Sequence, residues 1–312
     1  MDLRGLRDRL RLLGELDANL TEIERVAGVR VHVRDDAVVV SGEPSDVRVA
    51  RAALERLVGA AKSGAHINPA DIDLAVESER RGTTAGAVAF DDAWTLATNK
   101  RGRPIRPRSD GQRTFVDVIA RHALTLCTGP AGTGKTFLAV VMAVGALRSD
   151  RVERIILSRP AVEAGEKLGF LPGPLEEKVD PYLRPLFDAL GDLMDPPAIE
   201  RAIQRREIEI APLAYMRGRT LSDAFVVLDE AQNTSIEQMK MFLTRIGANS
   251  RMVACGDVTQ IDLPEGVESG LVHAARTFAG VDEIGVVALG SDDVVRHPLI
   301  RRIIEAYANA RR

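Results

Sequence analysis

A doubly wound α/β sheet of parallel strands is the fold predicted for the C-terminal two-thirds of this chain, and three observations predict it. From residue 112 onward, short apolar runs alternate with helical patterns. The runs are continuously hydrophobic rather than alternating, as strands are when both faces of their sheet are covered. The first of them leads into a glycine-rich loop that opens a helix, the junction at which such sheets hold their ligands.

The apolar runs are residues 124–127, 155–158, 225–229, 252–255 and 284–289. Apolar residues at helical spacing fill 135–147, 235–246 and 299–308. A smaller unit lies upstream, at residues 1–76. In it Leu3, Leu6, Leu10 and Leu13 recur at helical spacing. Residues 29–34 and 37–41 read as two strands joined by a tight turn at Asp35-Asp36, and 46–61 as a helix with Val49, Ala53, Leu57 and Val58 on one face. That pattern is a small α+β module.

Between 77 and 110 the periodicity dissolves. Gly82, Thr83, Thr84 and Gly86 have linker chemistry, and residues 100–108 carry five basic side chains in nine. This stretch is either a solvated connector or a basic hairpin that touches phosphate. The larger domain then occupies 111–312.

Composition sets limits on function. Across 312 residues the chain is 45% hydrophobic and 28% charged, as in soluble proteins with room for one large and one small domain. A net charge of −3 excludes a whole-molecule basic field, so any nucleic-acid contact rests on local patches. Arginine outnumbers lysine 36 to 6, which makes each lysine a departure from the default. Cys127 and Cys255 end apolar runs and read as small buried hydrophobes in a reducing compartment. The longest apolar stretch, 137–147, is too short to span a bilayer, and there is no leader-like apolar segment at the start. A cytosolic protein with no membrane partner is expected.

Three segments carry chemistry. Gly129-Pro130-Ala131-Gly132-Thr133-Gly134-Lys135-Thr136 follows a strand and opens a helix, the context a phosphate-binding loop requires. Its glycines let consecutive N–H groups surround a β-phosphate. Lys135 then places an ammonium between β- and γ-phosphates, and Thr136 offers a hydroxyl to Mg²⁺. Residues 225–232 deliver Asp229 and Glu230 to the C-terminal end of a strand. There Asp229 is expected to hold Mg²⁺ through water, and Glu230 to orient and deprotonate an attacking water. A kinase needs no such base, so hydrolysis of ATP is the expected reaction. In the third segment, 254–260, Gln260 is placed to sense the γ-phosphate or position that water. Gln112, 17 residues before Gly129, is placed to read the adenine edge through paired donor and acceptor bonds.

Taken together, these residues resemble the PhoH-like family of ATPases, related to the first motor domain of superfamily 1 helicases. The likeness runs on through Ser158-Arg159-Pro160 to Gly173, then 180–185, 211–220, 241–245 and 294–297, covering about residues 100–310. It implies a RecA-like P-loop sheet, ATP and Mg²⁺ as ligands, turnover coupled to RNA, and a YbeY-type endoribonuclease as partner. The N-terminal module resembles the KH-like domain that precedes the ATPase in this family. Around Gly14-Glu15-Leu16-Asp17, however, it has one glycine where a backbone-clamping KH loop has a pair. Family members with a fused ribonuclease domain are longer than this chain, which is expected not to cut RNA itself.

A superfamily 1 helicase draws an arginine finger from a second motor domain, and the 52 residues after Gln260 are too few to form one. A ring of copies, a hexamer, is therefore expected to supply it, as the resemblance also implies. Arg217, Arg219, Arg245 and Arg296 are the candidate fingers, with Arg296 favoured because it follows the fifth strand. Two stretches combine basic and aromatic residues as single strands require: Tyr215 with Arg217–Arg219, and 165–184 with Phe170 and Tyr182. Each of them equally suits a packed loop in a subunit interface. An RNA-dependent ATPase or helicase-like remodeller is one reading of the whole, and an ATP-gated assembly or adaptor protein is the alternative.

Overall fold

A computed structural model describes residues 10–14, 17–34, 37–62, 67, 69–82, 94–160 and 175–295. The expected helix 299–308, the turn at Asp35-Asp36, Leu3 and Leu6, Thr83, Thr84 and Gly86, Phe170, and Arg296 lie outside the described residues. Those residues fall into two compact units, with changeovers at 95/96, 105/106, 110/111 and 294/295.

In the first unit, helices α1 (Leu10–Leu13) and α2 (Ala18–Ala27) precede an antiparallel pair, β1 (Arg30–Arg34) and β2 (Ala37–Ser41). Helices α3 (Pro44–Lys62) and α4 (Pro69–Arg81) follow. Both strands and the helix expected at 46–61 are present. Helix α2 ends on Gly28, whose left-handed φ of 75° returns an N–H to the Glu24 carbonyl. Leu20, Ile23, Val31, Val38, Leu54, Leu57 and Ile72 bury together as the core. Helix α4 runs past residue 76, where periodicity alone placed the end of this module.

The second unit opens with a short hairpin, β3 (Ala97–Thr98) and β4 (Pro104–Ile105). The first half of the basic stretch thus forms the turn and second strand of this hairpin. Helix α5 (Asp110–Arg121) leads into six parallel strands and their crossovers: β5 (Leu124–Thr128), α6 (Lys135–Arg148), β6 (Arg154–Arg159), α7 (Leu175–Leu193), α8 (Pro196–Gln204) and β7 (Ile208–Pro212). Then come β8 (Ala224–Leu228), α9 (Ile236–Leu243), β9 (Arg251–Gly256), α10 (Gly270–Thr277) and β10 (Ile284–Ala288). The sheet order is β10-β5-β9-β8-β6-β7, and every neighbouring pair is parallel. All five expected strands are present. The sixth, β7, carries Glu209 in the sequence Ile208-Glu209-Ile210-Ala211-Pro212 and did not read as a continuous apolar run.

Both faces of the sheet are covered, as continuous apolar strands require. On one side Phe115, Leu138, Val141, Leu186 and Leu190 from α5, α6 and α7 pack on Ile155, Phe225 and Val253. On the other, Met239, Phe242 and Leu271 from α9 and α10 pack on Ile156, Val226 and Met252. Phe225 is 1% exposed, and its truncation to Ala would cost about 3–5 kcal/mol. The chain leaves β5 toward β6 on one side and returns as β10 on the other. Strand β5 is therefore the switch point, and the crevice beyond its carboxyl end is where an open sheet of this kind takes a ligand.

Candidate functional site

At that crevice lies a cavity of about 260 Å³, lined by the loop after β5, the start of α6, and the ends of β8 and β9. Within the loop Gly132 and Gly134 have φ of 85° and 79°, left-handed values that cost roughly 1–2 kcal/mol for a residue bearing a Cβ. They curl the backbone into the start of α6, the kind of loop whose N–H groups can surround a phosphate. Lys135, 8% exposed, donates from Nζ to the carbonyls of Gly129 at 2.7 Å and Pro130 at 2.8 Å. A charged phosphate oxygen forms a stronger bond than these neutral acceptors, so the ammonium can be drawn from its own loop to a ligand.

Strand β8 ends beside this loop. The Thr136 hydroxyl donates to Asp229 Oδ1 at 2.5 Å, so two hard oxygen donors expected to hold Mg²⁺ are already together. They fit that ion, which takes one or two protein oxygens and completes its shell with water and phosphate. Among the described residues no group of three His, Cys, Asp or Glu forms a metal cage. Burial pushes the Asp229 carboxyl above its ordinary range, against the pull of Arg159 and of the Thr136 hydroxyl.

Glu230 follows in a left-handed backbone conformation, φ 53° and ψ 34°, unusual for a residue with a long side chain. That kink ends the strand and starts the single 3₁₀ turn Ala231–Asn233, and Glu230 lines the cavity wall. One carboxylate oxygen, Oε1, accepts from Arg159 Nη2 at 2.7 Å. The other, Oε2, accepts from Gln232 Nε2 at 2.5 Å.

Gln232, fully buried, ties this strand end to the next. Its Nε2 also donates to the Gln260 carbonyl at 3.0 Å, and its Oε1 accepts the Asp257 N–H at 3.1 Å. Gly256 is needed for that approach, since a Cβ there would lie 2.6 Å from Gln232 Oε1. Asp257 in turn accepts from the Ala131 N–H at 2.8 Å and from Gln260 Nε2 at 2.6 Å. Burial opposes its ionisation, but bonds from Thr259, Ala131 and Gln260 outweigh that and hold the carboxyl below its usual value. Gln260 thus lines the cavity on the side facing the loop.

Several expected residues make contacts that their sequence positions did not announce. Gln112 is 4% exposed and donates from Nε2 to the Thr133 carbonyl at 2.9 Å. That bond braces the phosphate loop from behind. Among the finger candidates, Arg219 is held by Glu209 through two bonds, at 2.5 and 2.7 Å. Arg245 is held by the carbonyls of Met241 at 3.0 Å and Arg219 at 3.2 Å. Arg217 is exposed beside Tyr215, itself 46% exposed, and Arg296 lies outside the described residues. Cys127 and Cys255 face each other in register on β5 and β9, both buried. The hydrogen bond with Cys127, with burial, pushes the Cys255 thiol up, so it has little thiolate character. Sequence reasoning assigned no role to Arg159 or Gln232. The signal for each was its place at a strand end, in Ser158-Arg159-Pro160 and in Asp229-Glu230-Ala231-Gln232.

A parallel sheet with a phosphate loop at its switch point, and an acid pair one strand beyond the neighbouring strand, defines a P-loop nucleotide-binding domain of the ATPase kind. The comparison with known families is specific. The PhoH-like protein family matches residues 104–308, and the chain belongs to that family. It is 51% identical over 298 residues to the PhoH-like protein of Mycobacterium tuberculosis (strain ATCC 25618 / H37Rv), covering 95% of this chain and 84% of that one. With the PhoH-like protein of Bacillus subtilis (strain 168) the identity is 47% over 307 residues, covering 98% and 95%. Protein PhoH of Escherichia coli (strain K12) is 44% identical over 207 residues, covering 66% and 58%. No described helix is long and apolar enough to cross a membrane.

Proposed function

We propose that this protein hydrolyses ATP to ADP and phosphate, with Glu230 as the base that takes a proton from the attacking water. The observation that carries the reading is the shared cavity: Lys135, Thr136, Asp229 and Glu230 all line one 260 Å³ space. The loop N–H groups and Lys135 bind and neutralise the phosphates, and Thr136 and Asp229 hold Mg²⁺. Bound there, Mg²⁺ would supply charge neutralisation to the phosphates. Glu230 stands next to Asp229, so a water held by its carboxylate would lie close to the metal site and to the phosphate end of the loop. Gln260, oriented by Asp257, is the residue through which this wall would register the γ-phosphate. Magnesium-dependent release of phosphate from ATP by the purified chain is the direct test.

RNA-coupled turnover is the finer part of the proposal, and the exposed pair Tyr215 and Arg217 supports it: one ring to stack on a base, one charge to meet phosphate. Single-stranded RNA should raise the ATPase rate. A rate indifferent to RNA would favour the switch-like assembly protein instead. A finger given by a neighbouring copy in a ring would make specific activity rise with protein concentration and then level off. Mixing Arg296→Ala with Lys135→Ala subunits should then restore part of the activity.

A further inference from the structure

We propose that Arg159 is a positioning residue of the hydrolytic centre: its guanidinium fork fixes the Glu230 carboxylate against Asp229 and competes with the divalent cation for Asp229. The inference rests on the hydrolytic reading above and adds to it a residue that no motif assigned.

Arg159 is the last residue of β6, the strand beside β8. Ser158 pairs with Leu228, and the ladder continues through the Asp229 N–H to the Ser158 carbonyl at 2.9 Å. That register sets Arg159 directly beside the two acids. Nε lies 3.3 Å from Asp229 Oδ2, and Nη2 lies 2.7 Å from Glu230 Oε1. These two nitrogens form one edge of a rigid planar fork: Nη2 donates a hydrogen bond to Glu230 Oε1, while Nε meets Asp229 Oδ2 as an ion pair. With Thr136 on the other oxygen of Asp229 and Gln232 on the other oxygen of Glu230, both acids are gripped from two sides. The Arg159 side chain is only 17% exposed and that of Asp229 8%, so water screens this pair weakly, while Glu230, 38% exposed, keeps access to water.

Two consequences follow from the geometry. Adjacent carboxylates repel, and the fork both offsets that repulsion and sets the direction in which Glu230 presents its remaining lone pairs. A lysine ammonium keeps the charge but lacks the planar guanidinium that fixes one N–H on Glu230 while its charge faces Asp229. The same positive charge lowers the attraction of Asp229 for a second cation. Arg159 therefore trades metal affinity for an oriented base, an effect a purely structural ion pair would not have.

The test uses the full chain with Arg159→Ala, Arg159→Lys and Glu230→Gln. Steady-state ATPase kinetics are paired with calorimetric titration of Mg²⁺ in the presence of a non-hydrolysable ATP analogue, and circular dichroism checks folding. Arg159→Ala should lower kcat by about 10- to 100-fold while KM for ATP stays within about 3-fold, because the lost interaction acts on the transition state. Its Mg²⁺ affinity should rise by about 3- to 10-fold as the competing charge is removed. Arg159→Lys should return Mg²⁺ affinity toward wild type yet leave kcat low, and it answers the question if the alanine variant does not fold. A wild-type kcat in both Arg159 variants, beside a crippled Glu230→Gln, overturns this inference alone. So does a fall in kcat matched by an equal loss of nucleotide and Mg²⁺ affinity, which marks a collapsed site. Wild-type turnover by Glu230→Gln overturns the hydrolytic reading, and this inference with it.

Discussion

One wall of the nucleotide cavity is eight consecutive residues, Gly129 to Thr136, whose ligand-facing groups are largely backbone. The other is gathered from strand ends, Asp229 and Glu230 beyond β8 and Asp257 and Gln260 beyond β9, with Arg159 from β6 and Gln232 holding its acids from behind. The first is shaped by local φ angles and by the start of a helix. The second is shaped by sheet order and by side chains that satisfy one another. The difference assigns them different work. In the proposed reaction the contiguous wall binds, since its groups would meet phosphates present throughout. The assembled wall would act on turnover, since Glu230 and its supports would matter only as water attacks.

Mutations should separate the two. Glu230→Gln preserves size and the bond to Arg159 but removes the base, so turnover should fall by roughly 10²–10⁴ while ATP affinity by calorimetry stays near wild type. A matching loss of affinity would merge the two walls. Lys135→Ala should do the reverse. Loss of charge-assisted bonds worth about 1.5–3 kcal/mol each should weaken nucleotide binding by at least about 10-fold, and normal affinity in that variant would break the comparison on the binding side.

Gln112→Ala tests the contiguous wall from behind. It leaves the Thr133 carbonyl without its side-chain donor, at a cost of about 1–3 kcal/mol. Affinity for ATP and GTP should fall together. A selective loss for ATP would show instead that the amide reads the base.

The smallest effect belongs to a pair that neither wall includes. The bond to Arg219 is the main cause holding the Glu209 carboxyl below its ordinary value. Stability from a depressed carboxyl is complete above its unfolded pKa and is lost as pH falls through the folded one. Glu209→Gln should therefore cost less than about 1 kcal/mol near neutrality, less still in acid, and leave nucleotide handling unchanged. Thermal melts at two pH values, with one nucleotide titration, check all three.

The same division decides how much could be read in advance. The phosphate loop, the acid pair and five strands were legible because each is a local pattern: a spacing, or an apolar run ending in carboxylates. Strand β7 was not, because Glu209 interrupts its apolar run and is accommodated by Arg219, ten residues on. Arg159 and Gln232 were present in motifs but had no assigned work, since their partners are set by strand order, which local spacing does not encode. Gln112 was legible as a helix-start residue, but its bond to the Thr133 carbonyl was not. Its distance along the chain from the loop could not say whether the amide faces a base or the Thr133 carbonyl.

The left-handed backbone at Glu230 bears on engineering as well as on chemistry. Judged by conformation alone, glycine or asparagine is the easier occupant of that position, and a second acid beside Asp229 is one charge too many. If Glu230 is the proposed base, catalysis and foldability make opposite demands on a single codon. A redesign guided only by backbone fit and charge would replace this residue early, and on that proposal would yield a protein that captures nucleotide and never releases it as product.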